Sequence, residues 1–178
     1  VIVAGSKGKI GASVLCVGAA LRSGCGLVSA VIPETGNDVL QATQPEAMTI
    51  PSGTDYVDDF LIPKKASAIG IGPGLGIHPN TAKALLKVFQ TNLPCVIDAD
   101  GLNLLSLHPH LLQNIPKGSV LTPHKGEFKR LVGSFESEEE NLVALNQLAK
   151  NLNSVVVLKG NNTLIVYPQG ELFINTTG

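Results

Sequence analysis

The chain has 178 residues, of which 44% are apolar and 15% charged, with a net charge of −1 at pH 7. That is one domain's length, able to bury roughly 70% of the surface its unfolded form exposes, and too apolar to stay disordered. No basic stripe interleaved with aromatics appears, so nucleic acid is not an expected partner; no apolar run reaches transmembrane length, so neither is a membrane.

The chain opens on an apolar strand, Val1 to Ala4, followed by the turn GSKGKIGA. A glycine turn arriving at Gly5 does not fit a signal peptide. Ala12, Leu15, Cys16, Ala19 and Ala20 then recur at helical spacing, which predicts a helix over 12–23 stopped near Gly24. A strand, glycine loop and helix in this order turn backbone N–H groups toward an anion. The loop reads G-x-x-G-x-x-G, neither a Walker loop nor a dinucleotide fingerprint, and it serves equally to pack a helix tightly on a sheet. A second strand is expected over Gly26–Pro33, a short helix from Asn37 to Thr43, a strand around Ala47–Ile50 and an amphipathic helix near Val57–Leu61. Ala68–Gly72 is a short apolar strand running into Pro73-Gly74-Leu75-Gly76, a loop able to press its backbone on a ligand. Asn80 is the expected cap of a helix over 81–91.

Cys95–Ile97 is a further buried strand, ending in Asp98-Ala99-Asp100-Gly101. Carboxylates there can hold a metal-bound water or a substrate hydroxyl, or cap a helix; for Asp100 capping of Leu102–Leu107 is preferred. His108 and His110 flank a proline in a surface turn with no expected role. Val120–Leu121 leads into Thr122-Pro123-His124-Lys125-Gly126-Glu127, with Pro123 read as the edge of a helix. His124 either is a solvated loop histidine or donates a hydrogen bond to a ligand. The acidic run Glu136–Glu140 suits a helix start, and a long helix follows over 138–152. Ser154–Leu158 is a β-branched strand ending in Lys159-Gly160-Asn161-Asn162-Thr163; Leu164–Tyr167 and Glu171–Asn175 read as an antiparallel hairpin at one edge. Cysteines 16, 25 and 95 have no metal spacing and no disulfide pattern, so Cys16 and Cys95 read as small core residues and a reducing cytoplasm as the compartment.

Strands alternating with helices predict a mostly parallel sheet covered on both faces. Every glycine-rich or polar cluster follows a strand, which gathers them at one rim. The strand at the start and the loop at the end suggest a fragment of a longer chain, incomplete at both ends.

The segments GSKGKIGASVLCVGAALRSGCGLV, QPEAM, IGIGPGLG, VIDADGLNLL, VLTPHKGEF and VVLKGNNTLIVYPQGELFIN closely resemble the ADP/ATP-dependent NAD(P)H-hydrate dehydratases, a branch of the ribokinase-like superfamily. The resemblance implies a three-layer α/β/α fold and a repair reaction. The hydroxyl of hydrated NADH or NADPH is phosphorylated from ADP or ATP with Mg²⁺, and phosphate then leaves. By family pattern Ala12, Gly74 and His124 contact the hydrated dinucleotide, and Lys159, Gly160, Asn161, Asn162 and Thr163 the phosphate donor. No residue of this chain is expected to hold a metal alone. The family continues with Gly-Thr-Gly-Asp, whose Asp is the expected base, and this sequence reaches Gly178 without it. No catalytic base is therefore assigned here, and the 178 residues alone are expected to be inactive. A homo-oligomer is expected, and a fused N-terminal epimerase domain is possible in the family. The competing readings are a sugar- or hydroxymethylpyrimidine-type kinase of the same superfamily, and a nucleotide-binding fragment without activity.

Overall fold

The computed structural model describes residues 1–134 and 137–177. Among the described residues nine strands form one sheet in the order β3-β2-β1-β4-β5-β6-β7-β8-β9. The strands are β1 (Ile2–Val3), β2 (Ser29–Ile32), β3 (Met48–Pro51), β4 (Ile69–Ile71), β5 (Cys95–Ile97), β6 (Val120–Leu121), β7 (Val155–Leu158), β8 (Thr163–Val166) and β9 (Leu172–Asn175). Pairings from β3 through β7 are parallel, and β7-β8-β9 are antiparallel. The helices are α1 (Ile10–Arg22), α2 (Asn37–Thr43), α3 (Pro79–Gln90), α4 (Asp100–Leu107), α5 (Lys125–Val132) and α6 (Glu138–Leu152).

The winding direction reverses once. From β1 the chain steps outward through α1 and α2 to β3, returns along 52–68, and sets β4 on the other side of β1. Because crossovers between parallel strands are right-handed, the two runs lay their helices on opposite faces. On one face Val17 of α1 and Leu40 of α2 pack on Ala30 and Ile32. On the other, Leu85 and Phe89 of α3 and Leu102 and Leu105 of α4 pack on Val3, Ile71, Ile97 and Leu121. Leu145 and Leu148 of α6 cover Val156, Leu158 and Val166 on that same side. This is the expected three-layer α/β/α arrangement with an antiparallel hairpin at one edge.

The first layer is short. The row Gly70, Val96, Val120 and Val155 is joined by strand register, and Val96 in its middle is 48% exposed. A groove of about 580 Å³ runs along this face past Ile2, Cys16, Leu27 and Val96 and reaches the rim at Asp98 and Lys159.

Several local expectations are corrected. Val57–Leu61 is not helical: Val57 and Phe60 are buried from an extended segment, where the Ser52 hydroxyl donates to the Asp59 carbonyl (2.8 Å). Asn80 does not cap α3; His78 does, its Nδ1 accepting from the Asn80 N–H (3.2 Å), with Pro79 at the first helical position. Pro123 sits at the edge of α5 as expected, immediately before the cap, and the cap is His124, not a free loop histidine. Ser137 caps α6, whose first turn holds Glu138, Glu139 and Glu140; Glu136 lies outside the described residues. Cys95 is buried, whereas Cys16 is only half-buried.

Where β4 and β5 end, the backbones touch. Gly72 has φ +132°, and a Cβ there would stand 1.8 Å from the Asp98 carbonyl oxygen. Replacing Gly72 by Ala therefore demands both a strained backbone and a displaced strand end, and should destabilise the fold by about 3 kcal/mol, read as a fall in the urea midpoint.

Candidate functional site

All seven parallel strands end at one rim, and the crevice where the order reverses lies between β1 and β4. Such a crevice, at the carboxyl ends of strands that diverge, is where open α/β sheets bind ligands. Here it is framed by the two glycine loops. The Gly5 N–H donates to the Pro73 carbonyl (2.9 Å) and the Ser6 hydroxyl to the Gly74 carbonyl (2.7 Å). Gly74 has φ +67°, and a Cβ on it would meet the Ala12 methyl at 2.8 Å and the Lys9 carbonyl at 3.0 Å. Ala12 and Gly74, 62 positions apart in the chain, are thus neighbours, and Gly74 has no room for a side chain.

Asp98 and Asp100 sit next along the rim. The Lys159 ammonium donates to Asp98 Oδ1 at 2.6 Å. Asp100 Oδ2 accepts from the Gly76 N–H (2.8 Å) and from Lys9 Nζ (3.2 Å), and its Oδ1 accepts from Asn103 Nδ2 (3.2 Å). The Ala99 cap position makes no side-chain cap bond and Asp100 is already inside α4, so the expected capping role of Asp100 is replaced by a tie to the glycine loop. Burial works against the Asp100 carboxylate, but the Gly76 N–H, Asn103 and Lys9 together outweigh it and hold its pKa below the ordinary carboxylate value. Burial, with a smaller contribution from the Asp98 charge, pushes the Cys16 thiol up; burial pushes that of Cys95 up to about 12, so neither is a ready thiolate.

His124 caps α5. Its Nδ1 accepts from the N–H groups of Gly126 (2.9 Å) and Glu127 (3.3 Å), while Glu127 Oε2 accepts from the His124 N–H (2.8 Å), closing a capping box. With Nδ1 used as acceptor, the neutral ring carries its proton on Nε2. The side chain is still 54% exposed, so that Nε2–H can be offered to a ligand, with Glu127 Oε1 3.5 Å away. His124 is joined to Lys159 by a parallel bridge, and the Lys159 N–H donates to the Pro123 carbonyl (2.8 Å).

Beyond Lys159, Gly160, Asn161 and Asn162 connect β7 to β8, and the Thr163 hydroxyl donates to the Gly160 carbonyl (3.3 Å). Lys159, Gly160, Asn161 and Asn162, though not Thr163, line a cleft of about 530 Å³ shared with Lys125 of α5 and Asn141 of α6. The named positions therefore share one rim, linked from Ala12 and Gly74 through Lys9, Asp100, Asp98 and Lys159 to His124. The sequence reading missed the part played by Lys9; its only signal was a lysine in a glycine loop before a helix. Among the described residues no group of three His, Cys, Asp or Glu side chains is placed to enclose a metal ion.

Fold and rim define the ribokinase-like class of α/β protein. A solved ribokinase-like superfamily protein from Enterococcus faecalis matches with a TM-score of 0.76 and 25% identity, over 99% of this chain and 62% of that one. The family model described as NAD(P)H-hydrate dehydratase matches residues 1–178, and the chain belongs to that family. Within it, the ADP/ATP-dependent NAD(P)H-hydrate dehydratase of Bacillus subtilis, crystallised with ATP and Mg²⁺, matches with a TM-score of 0.80 and 30% identity over 99% of this chain and 64% of its own. The bifunctional NAD(P)H-hydrate repair enzyme of Mycobacterium tuberculosis is 37% identical over 177 residues. The chain spans 35% of that relative's length.

Two outcomes follow from this geometry. His124→Ala removes both cap and donor and should cost about 1 kcal/mol of stability, whereas His124→Ser restores a capping oxygen and should melt close to wild type, so thermal melts of the two separate cap from donor. The Asp100 carboxylate is stabilised in the folded state, so its contribution is full above about pH 4 and fades as pH falls through the lower folded value. Asp100→Asn should flatten the acid limb of a stability–pH curve and leave its slope near neutrality unchanged.

Proposed function

We propose that the protein restores hydrated NADH or NADPH to the reduced dinucleotide, using ADP or ATP as phosphate donor. The observation that carries this reading is the rim itself: two glycine loops that meet at Ala12 and Gly74, on the same rim as a lysine, Lys159, that lines a separate cleft. The loops suit a flat dinucleotide laid against glycine backbone, the cleft a nucleotide with its phosphates toward the loops. In this reading Ala12, Gly74 and the His124 Nε2–H bind the hydrated dinucleotide. Lys159, Gly160, Asn161, Asn162 and Thr163 bind the donor.

The ring hydroxyl oxygen forms a bond to the terminal phosphorus of the donor as the bond to the remaining nucleotide breaks. The phosphorylated hydroxyl then departs as phosphate, and loss of a ring proton restores the dihydronicotinamide. These side chains act by position and charge, as phosphoryl transfer requires, and the base for the ring hydroxyl is not assigned to any of residues 1–178. Mg²⁺ would be carried by the donor's phosphates and water, screening their charge beside Lys159, since such ions seldom need an all-protein cage.

The free cysteines, one exposed, suit the cytoplasm, where thiols stay reduced. No helix among the described residues is long and apolar enough to cross a membrane. We also read the protein as a homo-oligomer, on the exposed side chains of Leu172, Phe173 and Ile174 along the edge strand β9, and as able to carry a fused epimerase domain.

The test is to offer the full-length protein hydrated NADH with Mg²⁺ and either ADP or ATP. Recovery of reduced-nicotinamide absorbance that depends on the nucleotide is expected, with at least about a hundredfold loss of rate in Lys159→Met. Recovery without nucleotide, or phosphorylation of a sugar or pyrimidine alcohol in its place, would overturn the reading.

A further inference from the structure

Two carboxylates on this rim have no role in the reading above, and both are turned toward lysines. Asp98 and Asp100 flank Ala99, which adopts φ 50°, ψ −121°, a conformation normally left to glycine. The Gly101 N–H closes the turn on the Asp98 carbonyl at 3.0 Å. The turn is pressed on Gly72 with no slack: besides the 1.8 Å approach to Asp98, a Cβ on Gly72 would lie 2.9 Å from the Gly101 nitrogen. Strain kept in a turn that the surroundings over-determine points to a constraint on where its side chains aim.

Their aims diverge. Asp98 faces the end of β7, where Lys159 Nζ meets its Oδ1 at 2.6 Å, 61 positions away in the chain, and Lys159 in turn lines the cleft assigned to the donor. Asp100 faces the glycine loops, where Lys9 Nζ meets its Oδ2 at 3.2 Å, 91 positions away. Lys9 belongs to the crevice: the Ala12 N–H donates to its carbonyl (3.1 Å), and its Cβ would lie 3.2 Å from a Cβ on Gly74. It also lines an open pocket of about 440 Å³ together with Gly76, Asp100, Asn103 and Arg130. Arg130 is tied into the same run, its Nε donating to Asn103 Oδ1 at 3.1 Å.

We infer that Asp98 and Asp100 are positioning residues that each set one lysine for one ligand, Lys159 for the phosphates of the nucleotide donor and Lys9 for the phosphates of the dinucleotide. This rests on the two-ligand reading proposed above. A free lysine explores many rotamers, and each carboxylate removes that freedom before the ligand arrives. The sign of the effect separates positioning from plain charge. Deleting a negative charge beside an anion site should tighten anion binding on Coulombic grounds. If the carboxylate positions the lysine, deleting it weakens binding instead.

Asparagine at either position is isosteric and keeps the oxygen that accepts from the Ala99 or Gly76 N–H; the lysine shares that oxygen, so what the change removes is the charge that holds it there. Calorimetric titration of the full-length protein with Mg²⁺–ADP, Mg²⁺–ATP and hydrated NADH in separate experiments tests the inference. Asp98→Asn should weaken the nucleotide about tenfold and leave the dinucleotide within about twofold, and Asp100→Asn should do the reverse. In Lys159→Met and Lys9→Met backgrounds the corresponding aspartate change should have no further effect, a coupling that a general structural defect would not produce. Tighter or unchanged binding in the asparagine variants, equal weakening of both ligands, or an effect that survives loss of the lysine would overturn this inference alone. Wild-type protein that binds neither ligand would overturn the proposed function and this inference with it.

Discussion

A right-handed crossover can go only one way round, and this chain has to place a sheet on both sides of its first strand. Everything at the rim depends on that. Once β4 is laid on the far side of β1, the loops leaving these two strands must part, one toward each face, and the gap between them has no side chain of the sheet to fill it. Backbone fills it instead, which is why Gly74 stands where a Cβ would strike Ala12 and Lys9 of the first loop.

Around that gap the charges are arranged as a relay of close pairs. Lys9 and Asp100 are neither deeply buried nor fully solvated, with 53% and 18% of their side chains exposed, and Lys159 and Asp98 are similar at 42% and 34%. Pairs of this kind add little to the stability of a fold, because water screens them and ordering a lysine costs entropy. Their worth here is geometric: they bind distant parts of the chain into one surface, each through a group that an anionic ligand could engage.

Much of this was legible in the sequence. The positions of all nine strands followed from short apolar or β-branched runs bounded by glycine and proline, because such runs have few other uses. Helix α6 was read to the residue from a long 3.6-residue period. The rim followed from the fact that every polar cluster trailed a strand. What failed did so where two structures share one local pattern. Val57 and Phe60 have the i, i+3 spacing of a helix face, but a segment tied down by Ser52 buries both without helical turns. Asp100 precedes an apolar helix just as a cap would, and only the approach of Gly76 and Lys9, fixed by the whole fold, turns it elsewhere. His78 was overlooked as the cap of α3 because histidine is an uncommon cap, although Pro79 after it marked the first helical position. The thin layer over Val96 and Val120 had no local signal, since an uncovered valine and a covered one look alike in sequence.

The use of an imidazole to end a helix has a mechanical result. His124 cannot swing its ring toward a ligand without letting go of the Gly126 and Glu127 amides, and letting go loosens the first turn of α5. A molecule that meets the Nε2–H where it already points keeps that turn wound. One that drags the ring aside must unwind it, at a cost of about 1 kcal/mol, or about a fivefold loss of affinity. The helix thereby acts as a spring gauge on the crevice, and it rewards ligands that fit the ring as it stands.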